Sequence, residues 1–146
     1  MRTIAFQRLH PDARVPARAH PDDAGFDLHA VESARILPGA RVAVGCGFAM
    51  ALPEGTAGLV VPRSGLALRD GATVLNAPGL IDAGYRGEVK VVLVNHDATA
   101  ELRVEPGDRI AQLVVIDLPP VAFAETATLP ESQRGSGGFG STGTTA

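Results

Sequence analysis

The side chains best suited to chemistry in this sequence cluster in a few short segments rich in glycine or polar residues. Pro62-Arg63-Ser64-Gly65-Leu66-Ala67 brings a cation, a hydroxyl and a glycine together where an apolar run ends. Backbone N–H groups at such a turn bind phosphate, and a guanidinium adds a bidentate partner. The competing reading is a strand-to-helix junction with Ser64 as its N-cap. Further on, Asp82 follows the apolar pair Leu80-Ile81 within a stretch running from Asn76 to Glu88. A carboxylate at the mouth of a partly desolvated pocket can act as a general base toward water. A solvated turn aspartate is the plainer alternative. Tyr85, the single tyrosine, offers a flat face to a base or sugar, or else a core ring.

Two more polar residues interrupt apolar surroundings. Asp27 lies between Phe26 and Leu28, where it could hold a metal's water, and Gln112 breaks the run Ile110-Ala111-Gln112-Leu113-Val114, where a buried amide needs a partner. Other chemistries fit poorly. The four histidines, His10, His20, His29 and His96, have no ligand-like spacing and read as surface residues. Cys46, in Gly-Cys-Gly, reads as a buried inert thiol, and the Gly-x-Ser-x-Gly elbow of serine hydrolases is missing.

The elements that must position these residues are strands. Arg41–Val44, Phe48–Leu52, Gly58–Val61, Glu88–Asn95, Leu102–Val104 and Arg109–Ile116 are short apolar or alternating stretches between Gly, Pro and Asp. Their spacing predicts an all-β sandwich, barrel or jelly roll, with Ser64–Asp70 as the one short helical turn. Pro78-Gly79 predicts a hairpin between Thr73–Asn76 and Leu80–Asp82. Val89–Val94 and Ile110–Ile116 are apolar on both faces, which fits either a second subunit covering one face or a central strand covered by its own chain.

Composition narrows the partners. A chain of 146 residues and 45% apolar content has length for one domain with a real core. A net charge of −3 argues against nucleic-acid binding, since such proteins usually carry a basic face. No apolar run is long enough to span a membrane, and the start, Met1-Arg2-Thr3-Ile4-Ala5-Phe6, is unlike a signal peptide. With one cysteine excluding an internal disulfide, a cytoplasmic protein is expected. Residues 134–143 hold five glycines in ten and predict a flexible tail beyond a domain spanning residues 1–133. Yet Arg134 and Phe139 are odd in an inert spacer.

In order and combination, five segments resemble the motifs of the trimeric dUTPase family. They are Ala-Gly-Phe-Asp-Leu-His-Ala (24–30), Pro-Arg-Ser-Gly-Leu-Ala (62–67), Gly-Leu-Ile-Asp-Ala-Gly-Tyr-Arg-Gly-Glu (79–88), Gly-Asp-Arg-Ile-Ala-Gln-Leu (107–113) and Arg-Gly-Ser-Gly-Gly-Phe-Gly-Ser-Thr-Gly (134–143). Phe26 and Gly84 depart from the commoner Tyr and Asp, at positions that carry no assigned role. The resemblance implies a jelly-roll-like β subunit, a homotrimer with active sites between subunits, and hydrolysis of dUTP to dUMP and pyrophosphate with Mg²⁺. Such an activity keeps uracil out of DNA and supplies dUMP for thymidylate synthesis. By the same resemblance, Asp82 is the general base for water attacking the α-phosphorus, and Tyr85 lies under the deoxyribose. Asn76 and the backbone of Leu80, Ile81 and Asp82 read uracil, assisted by Lys90. Arg63, Ser64, Gly65 and Gln112 hold the phosphates, and Asp27 orients water on the metal. The tail, residues 134–146, closes over the nucleotide with Phe139 on uracil and Arg134, Gly140, Ser141 and Thr142 near the phosphates.

Two rivals accompany this reading. A dCTP deaminase shares the fold and an Arg-Ser segment, but relies on a glutamate in the hairpin region rather than an Asp-x-x-Tyr pair. A non-catalytic trimer would have lost motif residues, and none is lost here.

Overall fold

A computed structural model describes residues 2–138. Eleven strands and one short helix make up its regular structure, which bears out the all-β expectation. Four small sheets wrap a single core. Strand β1 (Ala5–Arg8) pairs with β5 (Phe48–Ala51), and β3 (Ala34–Ile36) pairs with β10 (Leu102–Val104). Strands β4 (Arg41–Gly45), β9 (Lys90–Asn95) and β7 (Ala72–Val74) form a third sheet, in the order β4-β9-β7. The fourth sheet runs β2 (Phe26–His29), β11 (Arg109–Asp117), β6 (Thr56–Val61), β8 (Gly79–Asp82), and it carries the candidate site. Leu28, Ile36, Val44, Phe48, Leu93 and Ile110 from these sheets meet in one core cluster. The only helix among the described residues is α1, Ser64–Asp70, as expected.

The predicted hairpin is corrected. β7 and β8 do not pair: Thr73 lies opposite Val94 on β9, whereas Leu80 lies opposite Leu59 on β6. The chain between them, containing a cis Ala77-Pro78 bond, carries it from one sheet to the other. Turn-forming residues mark a change of direction, but the backbone partners are set by which sheet each strand joins. The two-sided strands also resolve differently. β9 is covered by its own chain on both faces, with Val91, Leu93 and Val94 all buried. On β11, Leu113 and Ala111 are core residues while Val114, Val115 and Ile116 stay half-buried.

Val115 packs against the core, whereas Val114 and Ile116 belong to one continuous outer face. Residues directly opposite in a sheet share a face, as do residues two apart along a strand. Val114 lies opposite Leu59, which lies opposite Leu80, and Ile116 lies opposite Ala57. Leu80 is 65% exposed. Beyond β11, residues 118–138 contain no strand or helix, and Val121, Phe123 and Leu129 are exposed along them.

Candidate active site

Asp27 is the centre of the first polar cluster. Its side chain is 10% exposed, yet it faces three donors. Arg109 Nη1 stands 3.2 Å from Oδ2, Gln112 Nε2 3.4 Å from Oδ1, and Arg63 Nε 3.6 Å from Oδ1. Gln112 is there because it lies opposite Asp27 in the β2–β11 ladder. Arg109, three residues earlier, would point to the other face of a regular strand. The register shift between Arg109 and Ala111 absorbs the extra residue, so Arg109 lies opposite His29, on the face that Asp27 and Gln112 share. Arg63 follows β6, whose Val61 lies opposite Gln112, and its Nη1 also donates to the Arg109 carbonyl at 3.1 Å. Ser64 and Gly65 are exposed beside it. Ser64 is the first helical residue rather than the cap, and no side chain caps the helix. That removes the simplest structural account of the hydroxyl.

Arg63 and Arg109 also border a cavity of about 580 Å³, lined further by Arg14, Arg69 and His29 and by acids that include Asp97, Glu101 and Asp108. His29 corrects the surface reading: it is half-buried, and its Nδ1 is enclosed without a hydrogen-bond partner. Burial, then the neighbouring Arg14 guanidinium, hold its pKa below the usual histidine value. Cys46 is buried as expected, its thiol pushed up to about 12 by burial and by the Glu88 and Glu32 carboxylates.

The second cluster lies at the far end of the same sheet face. Leu80, Ile81, Asp82, Tyr85 and Lys90 border a smaller cavity of about 210 Å³. Asp82 is exposed, opposite Ala57, and its carbonyl accepts the Tyr85 N–H at 3.0 Å to close the turn. Arg86 Nη1 donates to the carbonyls of Ala83 and Tyr85, at 2.6 and 2.8 Å, and clamps that turn from outside. The Tyr85 hydroxyl donates to the Glu88 carbonyl at 3.0 Å, and Lys90 Nζ pairs with Glu88 Oε2 at 3.4 Å. Asn76 does not border this cavity; its amide packs against Gly79 at the start of β8.

Sheet geometry sets the distance between the clusters. From Val61, beside the first, to Ala57, beside the second, is four residues along β6, and β2 and β8 are three strand spacings apart. Asp27 and Asp82 are therefore roughly 20 Å apart on one face. Within one chain the expected site residues form two groups, not one. Arg134 joins neither, its Nε donating to the Gly137 carbonyl at 2.8 Å. Phe139, Gly140, Ser141 and Thr142 lie outside the described residues.

For a metal, no group of three or more His, Cys, Asp or Glu among the described residues is placed to bind one directly. A carboxylate offers about four lone-pair positions. With three donors facing it, Asp27 keeps room for one water on a cation that a ligand supplies. The residues thus fit outer-sphere contact alone.

The motif order already seen in the sequence now has a geometric counterpart, and relatives decide the family. A family model described as dUTPase matches residues 11–143. The chain belongs to the dUTPase family. Among curated dUTPase relatives, the deoxyuridine 5'-triphosphate nucleotidohydrolase of Corynebacterium diphtheriae is 54% identical over 140 residues, covering 96% of this chain and 92% of the relative. Its counterpart in Rhodococcus erythropolis is 53% identical over 143 residues, covering 97% and 86%. In fold, the chain is similar to the dUTPase of Staphylococcus bacteriophage 80alpha, a G164S mutant solved with dUpNHpp, at TM-score 0.90 and 27% identity over 98% of this chain and 99% of that one. It is also similar to a D95N mutant dUTPase from phage phi11 of S. aureus, in which a structural Mg(II) ion is coordinated, at TM-score 0.80 and 25% identity over 87% and 98%. Within this dUTPase fold the sequence reading missed Arg109 and Glu88. Both lie inside the motif segments, Arg109 within 107–113 and Glu88 at the end of 79–88, and only the register shift on β11 shows which way Arg109 faces.

Proposed function

We propose that this chain hydrolyses dUTP to dUMP and pyrophosphate, as a homotrimer whose active sites form between subunits. The observation that carries the proposal is the roughly 20 Å separating the phosphate-type cluster at Asp27 from the Asp82–Tyr85 cavity on one face. A general base must lie within hydrogen-bond reach of its water, directly or through one more. Arg63 and Asp82 of one chain cannot serve the same phosphorus. Apposing this face to a second copy brings one chain's Arg63, Ser64, Gly65 and Gln112 against another's Asp82 and Tyr85. The apolar strip between the clusters, with Leu59, Leu80, Val114 and Ile116, suits such burial. The exposed Val121, Phe123 and Leu129 supply further apolar groups for a neighbour.

In this reading, Asn76 and the backbone of Leu80, Ile81 and Asp82 read the uracil edge, and Tyr85 lies beneath the deoxyribose. Lys90 assists at the nucleotide. The Asp82 carboxylate takes the proton of a water as its oxygen bonds to the α-phosphorus. The bond to the α–β bridging oxygen breaks, and pyrophosphate leaves. Phosphoryl chemistry of this kind needs positioning and charge neutralisation more than a covalent intermediate. Arg63 and Arg109 come pre-aligned by Asp27 and so lose little freedom when phosphate arrives. Mg²⁺, carried by the triphosphate, would neutralise charge there while Asp27 holds one of its waters. Residues 134–146 would then close over the nucleotide, with Arg134, Gly140, Ser141 and Thr142 on the phosphates and Phe139 on the base. Through dUMP, the activity would feed thymidylate synthesis.

The decisive experiment is pyrophosphate release measured across the deoxynucleoside triphosphates with and without Mg²⁺, run beside sedimentation of the protein. Release from dUTP alone, by a trimer, is expected. Ammonia from dCTP would instead favour the deaminase, and no release from any nucleotide would sink the proposal.

A further inference from the structure

Tyr85 sits where only a residue lacking a side chain leaves space. A Cβ added to Gly87 would lie 2.6 Å from Tyr85 Cζ and 3.0 Å from Cε2, closer than such atoms approach. The ring therefore rests directly against the Gly87 backbone. Conformation does not explain this glycine, because Gly87 is outside the left-handed region. Gly84, in the same turn, would meet nothing if given a Cβ. The need at position 87 is for room, and the ring fills it.

A latch accompanies the seat. The Tyr85 hydroxyl donates to the Glu88 carbonyl at 3.0 Å. That carbonyl is held in turn, since the Glu88 carboxylate accepts the Gly47 N–H at 3.0 Å and Val89 N–H donates to the Phe48 carbonyl at 2.8 Å. We propose that Gly87 is a specificity-determining position: by seating Tyr85 it makes the ring an unyielding floor that a 2′-deoxy sugar fits and a 2′-hydroxyl does not. The inference rests on the reading of Tyr85 as the ring beneath the sugar. A methyl group at position 87 evicts the ring and breaks the latch. A loosened ring binds the nucleotide less well and yields to the extra hydroxyl, while Asp82 is untouched.

Gly87→Ala tests the seat with two readouts. The chain has one tyrosine and no tryptophan, so its tyrosine emission reports Tyr85 alone. In the variant, acrylamide quenching of that emission increases, a comparison that needs no substrate. KM for dUTP rises on the order of tenfold with kcat within about threefold, and preference for dUTP over UTP falls about tenfold, as expected when a ground-state contact is lost. Unchanged quenching together with unchanged selectivity would overturn the proposal. Should Gly87→Ala fail to fold, Tyr85→Phe keeps the seat and removes only the latch: a selectivity loss of about threefold supports the inference, and wild-type selectivity overturns it. Failure of the unmodified protein to hydrolyse dUTP would count against the function, not against the seat.

Discussion

Arg109 Nη1 lies 3.2 Å from Asp27 Oδ2 because a bulge turns Arg109 onto the face that Gln112 already occupies. One carboxylate thereby aligns two guanidiniums and an amide before any anion is present. Arg109→Ala is expected to raise KM for dUTP about tenfold while the fold is kept, since the arginine is half exposed and Asp27, its one side-chain partner, keeps Arg63 and Gln112 beside it. Calorimetric titration with a non-hydrolysable dUTP analogue checks it. Undiminished affinity would remove Arg109 from the phosphate grip.

Asp82→Asn keeps shape and removes basicity. Turnover should fall by about 10²–10⁴-fold, the usual worth of a positioned base, with analogue affinity within a few-fold of wild type. Parallel loss of binding would point to a role in holding the nucleotide instead.

Deleting residues 134–146 removes no strand, no helix and no core residue described in the fold. Circular dichroism and thermal melting should match the full chain, while kcat/KM for dUTP drops at least tenfold, the cost of an open site. Full activity in the truncated protein would end the closing role proposed for the segment.

Asn95 is fully buried and satisfies three backbone groups: its Nδ2 donates to the Ile36 and Ala100 carbonyls and its Oδ1 accepts the Asp97 N–H. Asn95→Leu strands all three. A loss of roughly 3 kcal/mol is expected from urea unfolding, since each buried group left unpaired costs about 1–3 kcal/mol.

Cys46 gives a pH dependence with a definite sign. Its thiol is pushed from 9.0 to about 12 in the folded chain. Below pH 9 folded and unfolded chains both hold the proton, and stability is unaffected. Above it the unfolded thiol ionises first, so stability falls between about pH 9 and 12, by up to about 4 kcal/mol. Cys46→Ala should lose less stability than wild type between pH 8 and 11, and equal losses would refute the cause assigned.

The sequence carried much of this. Strands with clean alternation or continuous apolar runs, such as β9 and β11, were legible because their burial comes from their own residues. β1, β2 and β3 were not, being three or four residues long and carrying charges. Asp27 on β2 is tolerable in a buried strand only because Arg63 and Arg109 reach it from distant segments. The hairpin reading failed for a related reason, since Pro78-Gly79 announces a turn without naming strand partners. Motif order identified the candidate residues, but their division into two groups is a property of sheet register. Gly87 was quoted within a motif, and only the ring resting on it gives that glycine a reason.

The partition of the sheet face has a genetic consequence. If each centre borrows its base from one chain and its anion grip from another, two inactive alleles can rescue each other. Co-expressing Asp82→Asn and Arg63→Ala chains would leave about a quarter of the centres in a randomly mixed trimer with both wild-type halves. Activity would emerge from a mixture of two dead parents.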